Sequence, residues 1–156
     1  MPADVLAYAT RLLPVIAPGL AAPSSVRRAA GDLVVRRTDD PVAEAAAAVH
    51  AALDRDGSVG VIVADDVAGA LATAGVQHAV LGDDGDKEFD VRVDVVPASL
   101  AKGLEFDHVV VLELAAVVAG EGDSLTGLRR LYVCLTRAVT SLTVLHSRPL
   151  PPELAR

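Results

Sequence analysis

The apolar positions of this chain fall into short blocks of two periodicities. Val5, Leu6, Ala9, Leu12, Leu13 and Ile16 recur at helical spacing and predict a helix over residues 3–17, which Pro14 ends or kinks. A Pro/Gly/Ser loop follows over 18–25. Leu33, Val34 and Val35 predict a short strand over 32–38. Asp39-Asp40-Pro41 then offers an N-cap with a proline just inside the helix, opening an alanine-rich helix over 42–55 that Asp56-Gly57 stops. Residues 59–64 read as a strand of the fully buried kind. Asp65-Asp66 caps a helix through Ala74 that Gly75 closes, and 76–81 is the next strand. An acidic turn fills 82–90, and 91–96 alternates Val91, Val93 and Val95 onto one face. A β-branched run predicts a strand over 108–114. Residues 125–138 form an amphipathic helix with Leu128, Tyr132, Leu135 and Val139 as its stripe. A last strand covers 142–146, and 149–152 makes an extended tail.

Strands alternating with helices at this spacing predict an α/β layered fold with a mostly parallel sheet. Ligands of such sheets sit beyond the carboxyl ends of the strands, which directs attention to the loops after Val96, after Leu114 and before Leu125. No internal repeat is present. Composition sharpens this picture. The 156 residues suit one domain over 1–156, and 52% hydrophobic with 3% aromatic residues means that Val, Leu and Ala fill the core. That mixture suits parallel strands buried on both faces. No Trp, two Tyr and two Phe exclude an aromatic stacking platform for single strands. Lys+Arg 14 against Asp+Glu 21 gives a net charge of -7, which argues against a protein that coats nucleic acid. Cys134 is the only cysteine, so no intrachain disulfide or cysteine-built zinc site forms, and a reducing, cytoplasmic setting is expected. No run reaches the ~20 apolar residues that span a bilayer, so no membrane partner is expected. Arg11 interrupts the first apolar run, against a signal peptide.

Most candidate chemistry falls away on spacing. The acids of 83–90 do not match an EF-hand loop and read as a solvated turn. His50, His78, His108 and His146 lack metal-ligand spacing and read as lone surface or core histidines, so no metal site is expected. Ser58 lacks the glycine two positions before it that a nucleophile elbow needs. Lys87 follows Asp86 and Lys102 follows Ala101, so the chain has no P-loop. Two segments remain. In Ala101-Lys102-Gly103-Leu104-Glu105-Phe106-Asp107, Gly103 permits a tight turn close to a ligand, bracketed by a cation and an acceptor. In the last helix Arg130 and Arg137 are seven apart and share a face, with Cys134 between them, and arginine suits a phosphate clamp. Taken singly, a solvated turn and a cation at a helix C-terminus account for both.

Together, in this order and separated by one strand, the segments resemble motifs V and VI of the UvrD/Rep-like superfamily 1 helicases. The matches are Lys-Gly-Leu-Glu-Phe-Asp at 102–107 and Leu-Tyr-Val-Cys-Leu-Thr-Arg-Ala at 131–138, with Cys134 where the family usually has Ala. Within the family the chain is most similar to the HelD-type, RNA polymerase-associated motors of actinobacteria. Val95-Val96-Pro97, the short distance between the motifs and the tail Leu145-His146-Ser147-Arg148-Pro149-Leu150-Pro151 carry that narrower resemblance. The resemblance implies a three-layer RecA-like domain of the P-loop NTPase type without its own P-loop, expected to be the C-terminal piece of a larger protein. It implies that Glu105 accepts a hydrogen bond from the ATP ribose, that Gly103 lets the backbone come close, and that Arg137 is the catalytic arginine finger. Lys102 and Thr136 would lie near the interdomain cleft, and Ser99, Thr136 and Arg130 would face nucleic acid.

The implied function is the C-terminal motor domain of an ATP-dependent DNA helicase or translocase. ATP and Mg2+ would be held mainly by a first RecA-like domain of the same parent, with no cofactor in the isolated chain. Partners would be that first domain and DNA and/or RNA polymerase. Pro97-Ala98-Ser99-Leu100-Ala101 lacks the Thr and His with which unwinding relatives contact the strand, and the motif IV arginine is missing. With the charge of -7, this motivates an alternative: the polymerase-binding module of a HelD-type recycling ATPase with little or no unwinding activity. A stand-alone Rossmann-like domain has no glycine-rich dinucleotide fingerprint to support it.

Overall fold

A computed structural model describes residues 2–20, 32–65, 79–80 and 93–155. Most of the loop expected over 18–25, the helix expected after Asp66, the acidic turn and Val91 lie outside the described residues. The elements are α1 (Ala3–Thr10), α2 (Leu13–Ile16), β1 (Asp32–Arg37), α3 (Pro41–Leu53), β2 (Val59–Val63), β3 (Ala79–Val80) and β4 (Val93–Pro97). A 3-10 turn (Ala98–Leu100), β5 (Phe106–Leu112), α4 (Leu114–Ala119), α5 (Ser124–Leu135) and β6 (Ala138–His146) complete the chain. The strands form one sheet in the order β1-β6-β5-β2-β4-β3, and every pairing in it is parallel.

The valine runs dictate how that sheet is covered. Successive side chains on a strand point to opposite faces. Val110 and Leu112 of β5 pack with Val59, Val61, Val63, Val93 and Val95 under Ala45 and Val49 of α3. Val109 and Val111 point the other way, into a core with Ile62, Val96, Leu142 and Val144 that α1, α2, α4 and α5 cover through Val5, Leu12, Leu114 and Leu131. With aliphatic side chains on both faces, the sheet is the middle layer of three. Side-chain caps start the longer helices. Asp40 accepts from Ala43 N at 3.1 Å with Pro41 in the first turn, and Asp123 accepts from Thr126 N at 2.8 Å. Hydrogen bonds from Thr126 hold the Asp123 carboxyl below the usual carboxylate range. Among the described residues no helix is long and apolar enough to cross a membrane.

Several boundaries depart from the sequence pattern, each for a tertiary reason. The helix expected over 3–17 divides in two, and Pro14 sits in the first turn of α2, where its missing N–H is not needed. The strand expected over 108–114 begins at Phe106 and ends at Leu112, and Leu114 instead opens α4, in a stretch that the pattern left as loop. The last helix stops at Leu135 rather than Ala138. The sheet claims the backbone beyond it: Phe106 N donates to Arg137 O at 3.1 Å, and Ala138 starts β6 opposite Phe106. The inward stripe of α5 is Gly127, Leu128, Leu131, Cys134 and Leu135, so Tyr132 lies at its margin and Val139 belongs to β6. Gly127 sets that orientation by admitting α4 to close contact. The expected extended tail leads into a short turn that returns Leu154 to the core.

Gly127→Ala tests the α4–α5 contact. A Cβ there would lie 2.4 Å from Val118 O, a backbone atom. Alanine gains about 1 kcal/mol of helix propensity, and overpacking costs about 1–3 kcal/mol. We expect net destabilisation, read as a lower denaturant midpoint in chemical unfolding.

Candidate functional site

The site is built from a strand start that is fixed three times over. Gly60 of β2 has no Cβ, and the Phe106 ring occupies that space; an added Cβ would meet its Cδ2 at 2.4 Å. One residue on, the Asp107 carboxylate accepts from Ser58 N at 2.9 Å and from Ser58 Oγ at 3.3 Å, while Asp107 N donates to Ser58 Oγ at 3.2 Å. Gly57 (φ 117) makes the turn that presents Ser58, and a Cβ there would strike Asp107 Oδ2. His108 follows, 2% exposed, with Nε2 3.0 Å from Asp56 O and Nδ1 2.8 Å from Ser141 Oγ. A carbonyl only accepts, so Nε2 carries the hydrogen, and in the neutral ring Nδ1 accepts from the Ser141 hydroxyl. His108 is thus a satisfied core histidine, one of the two readings its sequence allowed.

Ahead of this anchor, buried and exposed residues alternate. Ala101 is fully buried and Leu104 packs against the core, while Lys102, Gly103 and Glu105 are exposed. Ala101 N donates to Ala98 O at 3.3 Å and Leu104 N to Ala101 O at 3.2 Å, closing two successive turns. Gly103 has φ 83, yet a Cβ there would meet nothing within 4 Å. Its glycine therefore serves the left-handed backbone and not a tight fit.

Arg137 closes the site. Its Nε donates to Val133 O at 2.9 Å, Nη1 to Leu104 O at 3.1 Å and Nη2 to Thr136 Oγ1 at 3.2 Å. A guanidinium has five N–H donors, so among the described residues these contacts leave one on each Nη. Thr136 caps the helix with its own hydroxyl, which donates to Tyr132 O at 2.9 Å and Val133 O at 3.1 Å. Lys102, Gly103, Glu105, Thr136 and Arg137 are thereby gathered at the amino ends of β5 and β6.

Ser99 and Arg130 lie elsewhere, beyond the carboxyl ends of the strands. Ser99 N donates to Asp65 Oδ1 at 3.1 Å, and Ser99 O accepts from Arg130 Nη1 at 3.3 Å. Arg130 Nε also pairs with Glu121 Oε1 at 2.9 Å, both side chains about three-quarters buried. Beside them opens a crevice of about 560 Å³ lined by Asp65, Ser99, Glu113, Glu121 and Arg148 over Ala98 and Val117. It sits where the topology turns. The chain leaving β2 goes on to β3 and β4 on one side, and the chain leaving β5 goes to β6 on the other. Glu113, in the left-handed region at φ 53, accepts from Ser147 N at 2.6 Å, from the Ser147 hydroxyl and from Arg148 N at 3.3 Å.

The loop after Val96 starts at the carboxyl-end edge, to which the strand pattern directs attention, but carries Lys102–Glu105 to the opposite edge. Arg130 and Arg137 do not share a helix face, since α5 ends at Leu135. Cys134 between them points into the core, where burial pushes its thiol up from 9.0 to about 12, against a smaller opposing pull from the two arginines. Sequence reading missed Glu113, Glu121 and Arg148 and took Asp65 only as a helix cap. The available signal was position, since Asp65 and Glu113 follow the two strands that flank the turning point. His50 is exposed, His146 Nδ1 lies 2.9 Å from Arg148 O, and His78 is outside the described residues. Among the described residues no group of three His, Cys, Asp or Glu side chains is arranged to hold a metal ion.

Three measurements follow. At pH 8 the native Cys134 thiolate population should be lower than that of an ordinary thiol by roughly 10³, so iodoacetamide should label it only in denaturant. Below pH 9 both folded and unfolded chains keep the thiol proton; above it the unfolded chain ionises first, so stability should decline with alkalinity from there. Asp107→Ala removes the acceptor of two part-buried donors and should cost about 1–3 kcal/mol, seen as an earlier thermal transition.

No protein-family model matches the chain, and neither does any curated protein. Among solved structures it is similar to the C-terminal domain of a possible DNA helicase from Lactobacillus plantarum WCFS1. The TM-score is 0.69 at 22% identity, covering 98% of this chain and 89% of that one. It also aligns with arterivirus nonstructural protein 10, a helicase solved with DNA, at a TM-score of 0.45 and 13% identity over 91% of this chain and 30% of that one. The first likeness is one of fold: this chain has the RecA-like α/β architecture.

Proposed function

We propose that this chain is the second, C-terminal RecA-like motor domain of an ATP-dependent superfamily 1 DNA helicase or translocase of the UvrD/Rep kind. The observation that carries the reading is the hydrogen bond from Arg137 Nη1 to Leu104 O, which joins the two motif-like segments across 33 residues of sequence. It sets an arginine with two N–H groups uncommitted among the described residues beside exposed Gly103 and Glu105. In this reading Glu105 accepts from the nucleotide ribose and Arg137 donates to the γ-phosphate. Lys102 adds positive charge at the cleft. ATP and Mg2+ are held mainly by a first RecA-like domain of the same parent. Ser99 and Arg130 are the candidates for the nucleic-acid side, while Thr136, expected with them, stands beside Arg137 at the other edge. The similarity to a domain described as part of a possible DNA helicase supports the motor reading.

The carboxyl-end crevice favours a second reading. Asp65, Glu113 and Glu121 against Arg148 make a poor lining for phosphates. A HelD-type polymerase-binding module with little unwinding activity fits that surface, and duplex unwinding by the parent without polymerase binding would exclude it.

In the parent, Arg137→Ala should lower kcat for ATP hydrolysis by about 10³–10⁵ and leave KM within a few-fold. An unchanged kcat refutes the finger role. This chain alone should show no turnover, and sustained hydrolysis by the pure domain would overturn the reading.

A further inference from the structure

We infer that Thr136 is the positioning residue for Arg137, and that it acts through the direction of its hydroxyl. A hydroxyl has one hydrogen and two lone pairs. The Thr136 hydrogen is committed to the carbonyls of Tyr132, at 2.9 Å, and Val133, at 3.1 Å. That leaves only lone pairs toward Arg137 Nη2, 3.2 Å away. The helix end therefore fixes the polarity of the hydroxyl, and the hydroxyl presents an acceptor to the guanidinium.

The geometry around Arg137 gives this acceptor its importance. Among the described residues each guanidinium nitrogen has one partner: Val133 O for Nε, Leu104 O for Nη1 and Thr136 Oγ1 for Nη2. Three acceptors spread over a planar fork determine its plane and its rotation within that plane. The Leu104 carbonyl belongs to the loop, so by itself it would let the arginine follow the loop. The Val133 carbonyl is shared with the Thr136 hydroxyl. Thr136 Oγ1 is the side-chain acceptor among the three, supplied by the preceding residue and held by the end of α5. It decides which two N–H groups stay outward, and so whether the arginine meets an anion with both Nη groups or with one. The consequence for phosphate contact rests on the proposed function; the positioning is a property of this chain alone.

The test is the water-exchange rate of the Arg137 Nη2 hydrogens, the donors that face Thr136 Oγ1, followed by low-temperature nitrogen–proton NMR on the 156-residue chain and assigned by their loss in Arg137→Lys. Wild type and Thr136→Ser should agree within about two-fold, since both keep the hydroxyl. Thr136→Val keeps the shape and removes the acceptor, and should speed exchange by about ten-fold, the scale of one hydrogen bond to a charged group. Backbone amide protection along α5 should stay unchanged. Exchange in Thr136→Val within two-fold of wild type overturns the proposal, as does exchange in Thr136→Ser as fast as in Thr136→Val, because packing of the methyl would then be the cause. If Thr136→Val does not fold, Thr136→Ala carries the same expectation and the same refutation. In the parent, Thr136→Val should lower kcat with KM unmoved and Thr136→Ser should restore it. Full ATP turnover by Arg137→Ala would defeat the finger reading while leaving the exchange result standing.

Discussion

Between β4 and β5 the chain has to travel from one edge of the sheet to the other and pass over β2 on the way. Parallel strands impose that journey, and a dozen or more residues, usually including an α-helix, are its ordinary length. Here residues 98–105 make it with one 3-10 turn. A β2 of five residues is about 17 Å long, so eight residues have little slack. The crossover must be pinned, and two arginines pin it: Arg130 holds the Ser99 carbonyl near its start and Arg137 the Leu104 carbonyl near its end. Ala98, Ala101 and Leu104 press it onto the core between those points. The exposure of Lys102, Gly103 and Glu105 follows from this tension, because they are what remains once the anchoring residues are subtracted.

The fold was legible in the sequence wherever one face or one cap decided the outcome. The valine runs announced a sheet buried on both sides, and Asp40-Pro41 announced the start of α3. Legibility failed where distant backbone competed for the same residues. Helical pattern continues through Ala138, yet β5 needs Arg137 O and Ala138 as pairing partners, and the helix gives way. The inward face of α5 turned on Gly127 meeting Val118, a contact with no trace in the spacing of leucines. The pairing of Arg137 with Leu104 was equally invisible as geometry. Only the joint presence of the two motifs suggested it, and motifs say which residues belong together without saying at which end of a strand they meet.

The two edges of the sheet carry different electrostatics, which refines the meaning of the net charge. At the carboxyl ends, carboxylates outnumber the arginines around an open crevice, and those arginines are partly consumed by Glu121 and by backbone. At the amino ends, Arg137 has spare donors and Lys102 is exposed. The average charge therefore describes neither edge: Lys102 and Arg137 stand with Glu105 at one, and Arg148 with Asp65, Glu113 and Glu121 at the other. α5 touches both edges, with Arg130 midway along it and Arg137 just past its last turn, so the two surfaces are set at a fixed separation by one rigid rod.

Glu113 shows what such rigidity means mechanically. A glutamate in left-handed backbone is uncommon and costs about 1–2 kcal/mol, which its hydrogen bonds to Ser147 and Arg148 offset. The carboxylate clamps the exit of β6 to the exit of β5. Any pull on the chain beyond Arg148 would load this clamp before it reached the ladder between β6 and β5. Once the packing of Leu150 and Leu154 has yielded, the wall of the crevice, and not the sheet, is the next part of the domain to feel traction.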